Sequence, residues 1–452
     1  MRIDDIIAGT HVHLVGIGGV SMSALAEVLH QKGVIVSGSD GARSSTLDHL
    51  VSLGIKIFVG HSAKQVESDV ACLIRSAAIG DENPEVVEAL SRHLDVFARA
   101  EAWGWIMKGY ENALCVAGTH GKTTTTAMSA EIFLTAQHDP TVMIGGVLPS
   151  MGASHRTGKG DTIIVESCEY CNSFHHFFPT VAVLLNIDED HVDFFDGLDQ
   201  IKASFSTFLK KVPPDGKIFV CGDDPIALEV ASSFPHYMVG LEKGDVCTSG
   251  LVWKNGYPTF SLIYLGLKMG EITLKVAGEH NLRNALAAAG TALYLGVDFR
   301  SVAEGLGKFT GAGRRFERKG RYHGVEVIDD YAHHPTEIAA LLSAVRKLDY
   351  NRIFCVFQPH TYTRTKAFFS DFVSVLSGGE IVILLDIYAA REPFTKEISS
   401  QMLADYIPNS RYFSDREDAI SHLKQVAEQG DLILTIGAGD VYLVGEQLVE
   451  NI

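Results

Sequence analysis

The 452-residue chain is 46% hydrophobic and 21% charged, with a formal net charge of −17. That balance describes a soluble globular protein of roughly three domains, and it excludes a nucleic-acid backbone as partner, because most of the surface would repel one. Seven cysteines without framework spacing, an N-terminal "MRIDDIIAGT" without an apolar signal core, and no apolar run near the ~20 residues of a membrane span predict a reduced, cytoplasmic protein with no membrane partner. Monomer and homodimer both stay open.

The first strand-like run, "HVHLV", leads into "GIGGVSMSAL". Gly16, Gly18, Gly19 and Ser21 approximate G-x-G-x-x-G, with Ser21 in the third glycine position. Asp40 ends the next strand, "GVIVSGSD", where a ribose-binding acid falls. A dinucleotide is the simplest reading, but the same turn suits any diphosphate, including that of a UDP-sugar.

A second turn follows the strand "ALCVAG". A P-loop of the form G-x-x-x-x-G-K-[ST] would need glycine at 116, which is valine; the match is the shorter G-x-x-G-K-T of Gly118, Thr119, His120, Gly121, Lys122 and Thr123, followed by Thr124. Small residues let backbone N–H groups face a triphosphate, and the helix that follows presents its N-terminus to the anion. Lys122 suits the outer phosphates, and the Thr123 hydroxyl suits Mg²⁺. Two acid clusters then end strands in the same block: Glu166 and Glu169 after "TIIV", and Asp190, His191 and Asp193 after "VAVLLNI". Together they predict a metal site. The pair Cys168 and Cys171 in "CEYC" stands without a second cysteine pair and reads as incidental.

Further on, "LVWKNGYPTFSLIYLGLKMGEITLKVAGEHN" reads as antiparallel strands, and "VEVIDD", "RIFCVFQ", "EIVILLDI" and "LILTIGAGD" begin four more strand-and-helix units after "GAGRRFERKG". The alternation of strands and helices predicts an α/β protein of three domains: a Rossmann-like domain over 1–108, a central P-loop-type ATPase domain with a parallel sheet plus a small antiparallel sheet over 109–312, and a Rossmann-like third domain over 313–452.

In this order, "GTHGKTTTT", "NIDEDHVD", "GEHNLRNALAA", "GRRF", "DDYAHHPTE" and "FQPHTYTRTK" resemble the Mur ligases, ATP-dependent amino-acid ligases of peptidoglycan synthesis. The opening "HLVGIGGVSMSALA", "GSD" and "SAAIGDENPEV" resemble the alanine-adding branch. The resemblance implies UDP-N-acetylmuramate and L-alanine as partners, and ATP and Mg²⁺ as cofactors. It assigns the UDP part to Gly16, Gly18, Gly19 and Ser21, with Asp40, Ser76 and Asn83 nearby. It assigns phosphate to Lys122, metal ions to Thr123, Glu166 and His191, and the adenine end to Asn281 and Asn284. Arg315 and Asp330 of the third domain would reach the nucleotide. Each motif alone has a plainer explanation, such as a capped alanine-rich helix for "HNLRNALAAAG".

Two departures from the family pattern matter. Phe205, with Lys202 nearby, stands where several relatives have a carbamylated lysine, so none is predicted here. Thr361 follows His360 where arginine is common, which leaves Arg364, His360 or Arg391 to hold the amino-acid carboxylate.

The implied reaction forms an acyl phosphate on the lactyl carboxylate, which the amine then displaces. His333 and His360 are the candidate bases, and the third domain is expected to swing shut over the cleft. The nearest alternative is a murein-peptide recycling ligase. More distant ones are a folate polyglutamate-type ligase, a nicotinamide-dependent oxidoreductase and a non-catalytic UDP-sugar sensor.

Overall fold

Three separate sheets organise the chain in the computed structural model, which describes residues 2–390 and 392–450. The first is all parallel, in the order Lys56–Val59, Ile35–Asp40, His11–Val15, Cys72–Arg75, Asp95–Ala98. His11–Val15 is buried at every position, as expected of a parallel strand covered by helices on both faces. The chain builds outward to one side of this strand and then to the other. Its carboxyl end is therefore the switch point where such sheets bind ligands, and Gly16 to Gly19 lie there.

The central sheet has ten strands. Asn112–Ala117 lies in parallel between Thr162–Glu166 and Val181–Leu184. The segments that leave these three strands are the glycine-lysine turn, the first acid cluster and the second acid cluster. Neighbouring parallel strands bring all three to one edge. The segment expected to be antiparallel is a meander of Val246–Lys254, Tyr257–Tyr264 and Leu267–Thr273. It joins the parallel strands through the single pairing of Val239 with Val246, so the two parts form one hydrogen-bonded sheet.

The helix Lys122–Thr135 has four threonines directly after its first residue, and threonine is a poor helix former. It forms because Thr123 to Thr126 are all buried and the helix packs against Glu279–Tyr294 and Phe299–Lys308. Here tertiary contact overrides local preference.

The third sheet has six strands, two more than the sequence suggested. The additional ones, Glu317–Tyr322 and Ser410–Phe413, are polar edge strands without an apolar run. Val325–Asp330, Leu432–Ile436 and Ile353–Phe357 are parallel neighbours. "YAHHPTE", "GAGD" and "QPHTYTR" thus emerge side by side. Among the described residues no helix is long and apolar enough to cross a membrane. Phe205 lies in the core against Phe174, and Lys202 pairs with Glu229 at 2.9 Å. Arg391 is outside the described residues.

Candidate active site

Residues from all three strand-end clusters of the central sheet converge on the loop Gly118–Thr123. Gly121 caps the helix at φ +82°, and a Cβ there would lie 2.7 Å from Asn284 Oδ1, so only glycine fits. The loop is braced from the second cluster. Asn186 Oδ1 accepts the His120 backbone N–H at 2.7 Å, Asn186 Nδ2 donates to His120 O at 3.0 Å, and the Asp188 N–H donates to Thr119 Oγ1 at 2.9 Å. Neither Asn186 nor Asp188 was assigned a role from sequence. Their position in "NIDEDHVD", directly after a strand adjacent to the loop's own, was the available signal.

Lys122 Nζ donates to Gly118 O at 2.6 Å and Thr119 O at 2.9 Å, and pairs with Glu169 at 3.0 Å. Burial opposes its charge, but Glu169 outweighs this and holds the ammonium above its ordinary pKa. Glu169 is 2% exposed; burial would raise its pKa, but Lys122 and His191 keep it lowered. Thr123 Oγ1 donates to Glu166 Oε1 at 3.0 Å, and Gly145 N–H donates to Glu166 Oε2 at 2.6 Å. His191, at φ +53°, points Nε2 at Glu169 Oε1 (3.3 Å). The structure therefore brings together Thr123, Glu166, Lys122, Glu169 and His191, with the histidine engaged by Glu169.

A cavity of about 570 Å³ lies between the central and third domains. Its wall includes His120, Gly121, Thr124, Asn281 and Asn284 on one side, and Arg315 and Asp330 on the other. Asn281 Nδ2 donates to Ala277 O at 2.8 Å. Asp330 accepts N–H bonds from Phe316 and Ala332, both at 2.8 Å, and burial raises its carboxyl to about 6. Arg314 and Phe316 flank Arg315 in left-handed conformations, φ +58° and +54°. Such outliers collect at sites whose surroundings over-determine them.

The third domain reaches across this cleft through several side chains. Arg364 donates to Asp190 Oδ1 from Nη2 (2.7 Å) and Nε (3.2 Å), and lies 3.2 Å from His360 Nδ1 through Nη1. Thr336 Oγ1 donates to Asp188 Oδ2 at 2.6 Å. His120 bridges Asp188 (3.1 Å) and Glu337 (3.3 Å). Burial alone would lower the His120 imidazole, but its bonds to the two carboxylates raise it to about 9. His333 and His360 go the other way. Burial, with Arg364 nearby, lowers each to about 4. Their rings lie 5.9 Å apart, and His360 stacks on Tyr388.

The first glycine turn is a separate site. Gly16 has φ +80°, and a Cβ on it would meet Ser76 Cβ at 3.0 Å. Asp40 Oδ2 accepts the Gly18 N–H at 2.8 Å. Gly19 caps the helix Val20–Gln31. Ser21 directs its hydroxyl to Met143 Sδ (3.1 Å) and accepts the Trp103 indole N–H (3.1 Å), so that hydroxyl is committed across the junction with the central domain. Asn83 caps the helix Pro84–Ser91 by accepting the Glu85 N–H at 2.9 Å.

Two glycine turns of different design thus lie in two domains, and a third domain packs against the second of them. Family models agree: "Mur ligase family, catalytic domain" matches residues 11–111, "Mur ligase middle domain" 116–292, and "Mur ligase, glutamate ligase domain" 314–439. The chain is a Mur ligase. Among its relatives, UDP-N-acetylmuramate–L-alanine ligase of Clostridium novyi is 44% identical over 445 residues, covering 97% of each chain. The enzyme of the same name from Agathobacter rectalis is 41% identical over 449 residues, covering 98% of each. Among solved structures, UDP-N-acetylmuramate-alanine ligase MurC of Thermotoga maritima superposes with a TM-score of 0.81 at 27% identity, covering 98% of each chain. A murein peptide ligase from Psychrobacter arcticus shares the fold, with a TM-score of 0.71 at 22% identity over 98% of each chain. In this Mur ligase Thr361, at φ +65°, is the N-cap of the helix Tyr362–Ala367.

Proposed function

We propose that this Mur ligase joins L-alanine to the lactyl carboxylate of UDP-N-acetylmuramate, with ATP converted to ADP and phosphate, in peptidoglycan precursor synthesis. The observation that carries the reading is a match across all three domains, at 41–44% identity, to enzymes of that name. The domains divide at 1–108, 109–312 and 313–452, for UDP-sugar, ATP and amino acid respectively.

A carboxylate oxygen is too poor a leaving group for an amine to displace. Transfer of the γ-phosphoryl group to that oxygen makes an acyl phosphate, and the amine then expels phosphate. The loop amides from Gly118 to Thr123 and the Lys122 ammonium hold and neutralise the phosphates. Thr123 Oγ1 and Glu166 Oε1 are hard oxygen donors 3.0 Å apart, a set that fits Mg²⁺. His191 completes the proposed ligands. When bound, the ion spreads negative charge on the phosphoryl group.

Asn281, Asn284, Arg315 and Asp330 line the nucleotide end of the cavity. Gly16, Gly18, Gly19, Ser21, Asp40, Ser76 and Asn83 form the UDP-sugar site, with Ser21 and Asn83 acting chiefly through the backbone they fix. His333 and His360 are neutral at physiological pH. With pKa values of about 4 they are weak bases, better suited to accepting an amine hydrogen bond than to stripping its proton.

Supplying the protein with ATP, Mg²⁺ and UDP-N-acetylmuramate, and adding alanine, glycine, serine or a murein tripeptide in turn, tests the reading. ADP release is expected with L-alanine above all others. Release with the tripeptide alone would make the protein a recycling ligase instead.

A further inference from the structure

The phosphate loop has glycine at both ends of Gly118–Gly121, with φ +141° and +82°, and little stiffness of its own. His120 is its one long side chain. Within the central domain it meets Asp188; from the third domain it meets Glu337, and its ring lies 4.9 Å from that of His334. Glu337 is in the first turn of the helix Pro335–Val345, where the helix dipole favours an anion. One oxygen faces His120 Nδ1 (3.3 Å) and Arg315 Nη1 (3.6 Å). The other accepts the His333 N–H at 3.0 Å and lies 3.3 Å from His333 Nδ1. One carboxylate, 10% exposed, thus touches the phosphate loop, the arginine of the nucleotide cavity and a histidine of the amino-acid side.

We propose that Glu337 is a positioning residue for ATP turnover: through His120 it moors the phosphate loop to the third domain. The loop then reaches its working geometry only when that domain is seated. Since Asn186 holds the backbone of His120 from the central side, the loop is gripped from both walls of the cleft. This rests on the ligase reading above. A plainer role exists, because Glu337 also caps its helix through the His333 and His334 N–H groups. Glu337→Gln separates the two, since the amide oxygen can still cap while the charge facing His120 is gone.

The test is a double-mutant cycle on the full chain with Glu337→Gln, His120→Gln and the pair, read as kcat and KM for ATP in ADP release. Each single change is expected to lower kcat/KM for ATP by about 30-fold, mostly in kcat, and the pair by about the same factor rather than by about 900-fold. UDP-N-acetylmuramate affinity and the thermal midpoint of Glu337→Gln should match the parent. Multiplicative losses, parental activity in Glu337→Gln, or an activity loss that tracks a lowered thermal midpoint would overturn the proposal. A parent that releases no ADP at all would sink the ligase reading instead. The cycle is then read from the affinity of a fluorescent ATP analogue, with the same non-multiplicative pattern expected.

Discussion

Lys122→Ala is expected to cut turnover by about 10³-fold or more, while UDP-N-acetylmuramate binding stays within about twofold of the parent. The second half of that expectation follows from the fold: the first glycine turn belongs to a different sheet. The first half has two physical sources. Lys122 supplies positive charge at the phosphate loop, and it neutralises Glu169, which is buried beside it. Removing the lysine leaves a buried carboxylate whose remaining ion-pair partner among the described residues is His191 at 3.3 Å, at a cost of about 3 kcal/mol or more. Thermal unfolding of Lys122→Ala should therefore fall as well. Adding Glu169→Gln separates the sources: stability should return, because no charge is left unpaired, and turnover should not. If the double variant regains activity, Lys122 is there to pair Glu169 and not to hold phosphate. Loss of UDP-sugar binding in either variant would mean that the two turns have been given each other's ligands.

The second large effect concerns Arg364. The family resemblance offers it as a clamp for the amino-acid carboxylate. In the structure its Nε and Nη2 are both committed to Asp190, 174 residues away in the central domain, and Nη1 to His360. Asp190 is buried. Burial opposes its charge, but Arg364 and then His191 hold it well below the usual carboxylate range. Arg364 is thus first a tie between domains, and it can receive a substrate carboxylate only by exchanging Asp190 for it. Arg364→Ala should lower kcat/KM by about 10²- to 10³-fold for ATP and for L-alanine alike, because the unpaired Asp190 costs about 3–5 kcal/mol in the docked state. Arg364→Lys should recover little, since an ammonium cannot make the forked contact. Arg364→Ala with Asp190→Asn should recover part of the ATP term. A rise in KM for alanine alone, with ATP parameters untouched, would make Arg364 a simple clamp.

Much of this architecture could be read from residue order, because parallel sheets convert order into place. A glycine turn after an apolar strand must sit at a strand's carboxyl end. Residue order placed Gly118, Glu166 and His191 at strand ends within one block; that the three strands are neighbours is seen only in the sheet itself. What stayed hidden depends on contacts between distant segments. Nothing near Glu337 in the chain indicates that it faces His120, and nothing near Asp190 indicates Arg364. Asn186 lay within the strand-like run "VAVLLNI" and Asp188 just before the acid cluster, and neither carried a role of its own, although they brace the phosphate loop. Ser21 was read from a glycine fingerprint, but Trp103 and Met143 engage its hydroxyl. Met143 could not be placed beside it without knowing how the first two domains pack, nor Trp103 without knowing that the helix Arg99–Met107 packs on Val20–Gln31. The polar edge strands Glu317–Tyr322 and Ser410–Phe413 were missed for a simpler reason: an edge strand needs no apolar run.

In the proposed function, ATP bound at the second turn activates a carboxylate brought by the first. Following oxygen tests it most directly. With UDP-N-acetylmuramate labelled by ¹⁸O in both lactyl carboxylate oxygens, one labelled oxygen should leave in the inorganic phosphate for each amide formed, and the other should remain in the amide carbonyl. Amide formation with unlabelled phosphate would contradict the account, because the carboxylate would then never have carried the phosphoryl group.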